Sequence, residues 1–406
     1  MHVALEKKRY SYLLFLFCFF LLIFPKGGIK LGGVPLTWGY FLLGLSSFYL
    51  LFQKTYCINR DHIRAQLLFF PFQVISLFSF FFLGVQSTSG LVSFIVTVFL
   101  LPFSIFTLHS STIDQIDKDQ LFSLVKKAIV FLASYGIFLF FYKALTGQFI
   151  KIPLLTVNLQ DYQTLDDKCI DRGYAFKLIS TYNNGNLYGI CMLMLLPLFM
   201  HIAPSKSKKA LIITSLILTL SRTVWMGIVF SEILVAITAK SKEALISLAA
   251  QLLTAAALLY SLCYYYEIPL EFFLDFSLGG RLNNIHKIEP YNIFGNSPFV
   301  WINEITYLGV LENFGLSGLL SFILFLLAPL LLYLLKKGPR KKEDLPLILG
   351  ILNYCFLSLS DGAFLLIPVM VFYYFISAFL LRESPLLNES MSPKSIQKRS
   401  SRAILS

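Results

Sequence analysis

Residues 315–335 read GLSGLLSFILFLLAPLLLYLL. The run carries no charge, and at about 1.5 Å per residue it is long enough to cross a hydrocarbon core about 30 Å thick. It is followed at once by KKGPRKK, residues 336–342. A basic cluster directly after an apolar run marks an end that stays on the cytoplasmic side of a membrane. One such run proves little about a fold, but this one has counterparts along the whole chain.

Working outward, apolar runs occur at Tyr10–Phe24, Leu36–Phe52, Leu67–Leu83, Leu91–Leu108, Leu121–Ala144 and Asn186–Ile202. They continue at Ala210–Leu220, Thr223–Thr238, Ala244–Tyr265, Gly315–Leu335, Leu345–Leu359 and Phe364–Leu381. The run at Ala210–Leu220 is short for a crossing, so its helix must extend into Lys208-Lys209 or past Ser221. The chain is 57% hydrophobic and 14% charged, where a soluble domain carries about 25% charged residues. The expectation is an all-α polytopic membrane protein of about twelve transmembrane helices, with one helical domain over 1–383 and a basic, disordered cytoplasmic tail over 384–406. No small-residue cleavage pattern follows the first run, so it reads as an uncleaved helix rather than a signal peptide.

The net charge of +12 does not point to nucleic acid, because the basic residues alternate between loops. With both termini cytoplasmic, 24 of the 34 Lys and Arg fall on the inside and 10 on the outside, which follows the positive-inside rule. Two long polar stretches then lie outside, at about 145–184 and 266–303. Loops of this length are commonly functional. The six cysteines have no metal-ligand spacing, and Cys18, Cys191 and Cys355 sit in apolar runs as packing residues.

The outer stretches hold the residues able to do chemistry. Arg222, in LTLSRTVWMG, lies between two apolar runs with no long loop to explain it. A guanidinium there either reaches to headgroups or clamps a phosphate or diphosphate through paired hydrogen bonds. Arg172 and Arg281 lie in the two outer loops, with Lys168, Lys177 and Lys287 nearby, so cations from separate segments can meet on one dianionic group. Glu304 precedes the helical run that leads into 315–335. A carboxylate at a membrane boundary is a candidate base for activating a hydroxyl, and also an ordinary solvated acid near a helix N-terminus. His286 is a second candidate base, although a lone loop histidine is more often incidental. No Walker loop, dinucleotide fingerprint or zinc motif occurs. Any activated substrate must therefore arrive with the membrane.

Four stretches together resemble the O-antigen ligase and O-antigen polymerase superfamily of bacterial membrane glycosyltransferases. They are STYNNGNLYGICMLMLLPL (180–198), LTLSRTVWMG (218–227), GGRLNNIHKIEPYNIFGNSP (279–298) and EITYLGVLENFGLSG (304–318). The resemblance implies a GT-C-like, metal-independent enzyme without a cofactor, in a bacterial inner membrane. Such an enzyme moves glycan from an undecaprenyl-diphosphate carrier to an acceptor hydroxyl on the outer face, with inversion. It implies catalytic roles for Glu304, Arg281 and Arg222, and substrate contacts from Arg172, Asn184, Asn186, Ser221, His286, Lys287 and Tyr307. The implied partners are the bilayer, the lipid-linked glycan, an acceptor glycan or lipid, and polysaccharide-assembly proteins. Family ligases place a histidine where this chain has Glu304, and polymerases often an acid, which favours a polymerase of repeat units. The alternatives are a ligase acting on lipid A core or protein, and, in a different class, a flippase for lipid-linked glycans.

Overall fold

The computed structural model describes residues 15–31, 34–52, 58–166, 176–202, 205–239, 292–295, 297–336 and 342–382, with scattered residues between 246 and 264. The chain is mostly helical. In order, the elements are α1 (Leu16–Ile23), a hairpin of β1 (Gly28–Leu31) and β2 (Val34–Thr37), α2 (Trp38–Leu51), α3 (Arg60–Leu83), α4 (Thr88–Leu108), the single turn α5 (Ser110–Asp114) and α6 (Lys118–Thr146). There follow α7 (Gly185–His201), α8 (Lys206–Ile217), α9 (Arg222–Ala239), α10 (Thr306–Leu335), α11 (Leu345–Leu357) and α12 (Ile367–Leu381).

Among the described residues α3, α4, α6 and α10 are long and apolar enough to cross a membrane, while α2, α7 and α12 are apolar but shorter. The helices thus fall at the expected positions, but most are shorter than a full crossing. The short run at 210–220 does extend into its lysines, as α8. The run Ala244–Tyr265 and the tail lie largely or wholly outside the described residues. The antiparallel hairpin, pairing Gly28 with Thr37 and Leu31 with Val34, departs from a purely helical expectation.

Side-chain caps set several helix starts. Asn59, Ser87, Asp117 and Asn184 each accept a backbone N–H from the first turn of α3, α4, α6 and α7, satisfying donors that lipid would leave orphaned. The core lies where α3 runs beside α10 and where α11 and α12 run beside α7. Phe69, Phe72, Phe94, Phe314, Phe322 and Phe325 are fully buried there. Phe72 and Phe314 meet edge-to-face with centroids 5.7 Å apart, an arrangement worth about 0.5–1.5 kcal/mol beyond burial. In lipid such packing, rather than exclusion of water, holds helices together.

One end of the bundle is rich in basic residues. Lys118 pairs with Glu343 at 2.8 Å, Lys336 with Asp61 at 3.1 Å, and Lys209 with Glu232 at 2.9 Å. Arg382 donates to the Ile116 carbonyl. His62, buried, bridges Ser110 and the Ala378 carbonyl. The other end carries the N-termini of α4, α7, α9, α10 and α12, and there the candidate residues gather.

Candidate functional site

Four segments meet at that second end. The strand-like stretch before α7 is tied to the end of α8 by Leu178 N–H donating to the Leu218 carbonyl at 2.9 Å. The link between α11 and α12 is tied to the approach to α10 twice: Gly362 N–H donates to the Glu304 carbonyl at 3.0 Å, and Thr306 N–H to the Ser358 carbonyl at 3.2 Å. Ser360 Oγ then donates to Thr223 Oγ1 in the first turn of α9 at 3.0 Å. Segments distant in sequence become neighbours.

At the centre Asn186, in the first turn of α7, joins two buried charges. Its Nδ2 donates to Asp361 Oδ2 at 2.7 Å, and its Oδ1 accepts from Lys177 Nζ at 3.2 Å. Lysine can only donate and an ionised carboxylate can only accept, so the two partners fix which way the amide faces. Asp361 is 4% exposed and Lys177 8%. Each charge is expensive to bury alone, and the amide between them offsets part of that cost. Asn184 caps the same helix by accepting from the Asn186 and Leu187 backbone N–H groups. Ser221 is buried, and Arg222, the first residue of α9, is half-buried beside it.

Backbone strain is concentrated here. Ser180, Asn183, Leu220 and Ala363 all have positive φ, a conformation that costs a non-glycine residue about 1–3 kcal/mol. All four lie in the segments that meet at Asn186. Gly362 is required by contact, since a Cβ there would fall 2.1 Å from Thr306 Oγ1. The N-termini of α7 and α9 both face this end, and their partial positive charge adds to that of Arg222 and Lys177.

The second motif region is equally explicit. The helix α10 breaks at Gly315, where φ is 66°, and the turn at 292–295 is laid against the break. Leu316 N–H donates to the Asn292 carbonyl at 3.0 Å and Ser317 N–H to the Ile293 carbonyl at 3.2 Å. Ser79 Oγ, from α3, lies against the same junction, 3.1 Å from the Phe294 carbonyl and 2.9 Å from that of Asn313. The turn at 292–295 and Gly315 therefore belong to one device: a broken helix whose freed amides are met by an inserted turn.

Of the residues expected to form the site, the structure brings Asn184, Asn186, Ser221 and Arg222 to one end and joins the Glu304 backbone to the same cluster. The Glu304 side chain is exposed. The hydroxyl of the half-buried Tyr307 donates to the Cys355 carbonyl at 3.0 Å and so ties α10 to α11. Arg172, Arg281, His286 and Lys287 lie outside the described residues. Asp361 is a site residue that motif reasoning passes over. Its signal in the sequence is a single acid in LSLSDGAFLL (357–366) between two apolar runs, and a charge so placed is seldom idle.

No family model, curated protein or solved structure matches this chain.

Proposed function

We propose that this protein is a membrane glycosyltransferase that transfers glycan repeat units from a polyprenyl-diphosphate carrier to an acceptor sugar hydroxyl. The observation that carries the reading is the meeting of Arg222, Lys177, Asn186, Asp361 and the Glu304 backbone at the end of the bundle opposite its ion-paired basic end. In the reaction the acceptor oxygen bonds to the anomeric carbon while the bond from that carbon to the diphosphate breaks. Glu304 takes the proton from the acceptor hydroxyl. Negative charge grows on the departing diphosphate, where Arg222 and Arg281 stabilise it more strongly than in the ground state. Attack from the opposite face inverts the anomeric centre, by analogy with inverting glycoside chemistry. The Asn186–Asp361 bond and the neighbouring Ser360–Thr223 bond tie the N-termini of α7 and α9 to the same link, so that both positive helix ends face the diphosphate.

The acid at 304 favours the polymerase over the ligase. A flippase would need charge lining a path through the spans, whereas the buried charge in α9, Glu232, is already paired with Lys209 near the basic end. The test is glycan length in cells lacking the protein. Single repeat units on the acceptor support the polymerase, long chains left on the carrier indicate a ligase, and carrier-linked units held on the cytoplasmic face indicate a flippase. Glu304→Ala is expected to abolish lengthening with membrane insertion unchanged; normal chains in that variant would overturn the site.

A further inference from the structure

The hairpin β1–β2 and the loop after α6 form one unit. Gly28 pairs with Asn158, and Leu159 N–H donates to the Gly28 carbonyl at 3.2 Å. The Gln160 side chain closes both backbone groups of Lys30, accepting at 2.8 Å and donating at 3.1 Å. Trp38, where β2 becomes α2, donates its indole N–H to the Leu154 carbonyl at 2.7 Å. The charges in this unit face one another: Lys30 pairs with Asp161 and Lys151 with Asp166. These backbone groups and charges find their partners within the unit, which irregular chain needs wherever water is scarce.

The unit turns outward several large apolar side chains, with Gln160, Gln163 and Thr164 exposed beside them. Leu36, Trp38, Ile152, Leu154 and Leu159 are all exposed, Trp38 at 40% and Leu159 at 56%. Trp38 also begins a stripe along α2 that continues through Phe41, Leu45, Phe48 and Phe52, all exposed and all on one helical face by their spacing. From Trp38 to Phe52 that stripe is about 21 Å long at 1.5 Å per residue. A hydrocarbon core is about 30 Å thick, so α2 alone falls short by roughly two turns.

We propose that the hairpin and the loop 149–166 form a shelf seated in the headgroup–acyl boundary of the bilayer, extending the lipid-facing surface of α2 and anchored by Trp38. The occupant of the apolar face is lipid, because that face is continuous with the stripe of α2 and its charges are paired inward. An indole with its N–H bonded and its ring exposed is suited to this boundary. The shelf does not depend on the reaction proposed above.

The experiment uses the full chain, reconstituted in phosphatidylcholine vesicles, with Trp225→Phe and Trp301→Phe leaving Trp38 as the sole tryptophan. Emission is quenched by lipids spin-labelled near the head or near the methyl end of the acyl chain, and by aqueous iodide. The expected result is blue-shifted emission, quenched more by the shallow label than by the deep one and little by iodide. Strong iodide quenching without lipid quenching would place the shelf in water and overturn the proposal, as would stronger quenching by the deep label. Protection from all three quenchers would mean that a protein partner covers the face, which also overturns it. If the double variant does not fold, Leu159→Cys in a protein that keeps its tryptophans and has its native cysteines replaced by serine, carrying a polarity-sensitive label, gives the same reading. A nonpolar emission reached by shallow spin label supports the shelf, and a water-like emission overturns it.

Discussion

Asn186 is the residue on which the candidate site turns, because its amide presents a donor to Asp361 and an acceptor to Lys177 at the same time. Asn186→Asp keeps the acceptor but sets a second carboxylate against Asp361. The expected cost is about 1–3 kcal/mol, the range for leaving a buried polar group wrongly paired, read as a lower unfolding temperature of the detergent-solubilised protein. Asp361→Asn alone removes the negative charge that balances Lys177 across the amide and should also destabilise. In the double variant, Asn186→Asp with Asp361→Asn, acid and amide exchange places, and much of the loss should return. Simple additivity of the two losses would show that the pair is not coupled. In the sequence, Asn186 is legible as a candidate only through motif resemblance. Asp361 shows in the sequence only as a lone acid between apolar runs, and its role is not legible there because its partner lies 175 residues away.

At the scale of elements, the break in α10 has a strict requirement. Gly315 has positive φ, and a Cβ there would lie 2.4 Å from the Asn292 carbonyl oxygen and 2.5 Å from the Ile293 carbonyl carbon, both backbone atoms unable to move cheaply. At φ 66° and ψ −166° the backbone is in a region adopted essentially by glycine alone, so Gly315→Ala adds strain of about 1–3 kcal/mol to overlap with the inserted turn. The expected outcome is a marked loss of folded protein by fluorescence-detected size exclusion, larger than that from Gly44→Ala, whose Cβ would meet nothing within 4 Å. A milder case is Asn184→Ala, which removes the cap of α7 at a cost of about 1 kcal/mol and should lower the unfolding temperature by a few degrees. Helix positions are legible from apolar runs, since lipid demands them. The hairpin is not, because Gly28–Thr37 is too short and too mixed in character to signal its pairing, which depends on docking to Asn158 and Gln160. The true starts of α3 and α6 are also hidden, as they are set by capping at Asn59 and Asp117 among charged residues that a hydropathy reading assigns to loops.

For the molecule as a whole, the ion pairs among Asp61, Lys118, Lys209, Glu232, Lys336 and Glu343 gather at the end opposite Asn186, as the alternation of basic loops in the sequence requires. If that alternation reports orientation, the basic end faces the cytoplasm and the candidate site faces outward. Two positions test this in a version of the protein whose native cysteines are replaced by serine. Gln86 is exposed in the turn between α3 and α4, at the end that carries the candidate site, and its backbone N–H donates to the Phe299 carbonyl. Ser205 is exposed ahead of α8 at the basic end. A membrane-impermeant maleimide added to intact cells should label Gln86→Cys and leave Ser205→Cys unlabelled until the membrane is permeabilised. The reverse pattern would turn the site toward the cytoplasm, where a carrier-linked glycan already moved to the outer face could not reach Arg222, and the proposed transfer would fail with it. Equal labelling of both in intact cells would mean that the two positions share one side, which the course of α7, from the candidate-site end at Gly185 to His201 just before Ser205, forbids for a bundle that spans the membrane.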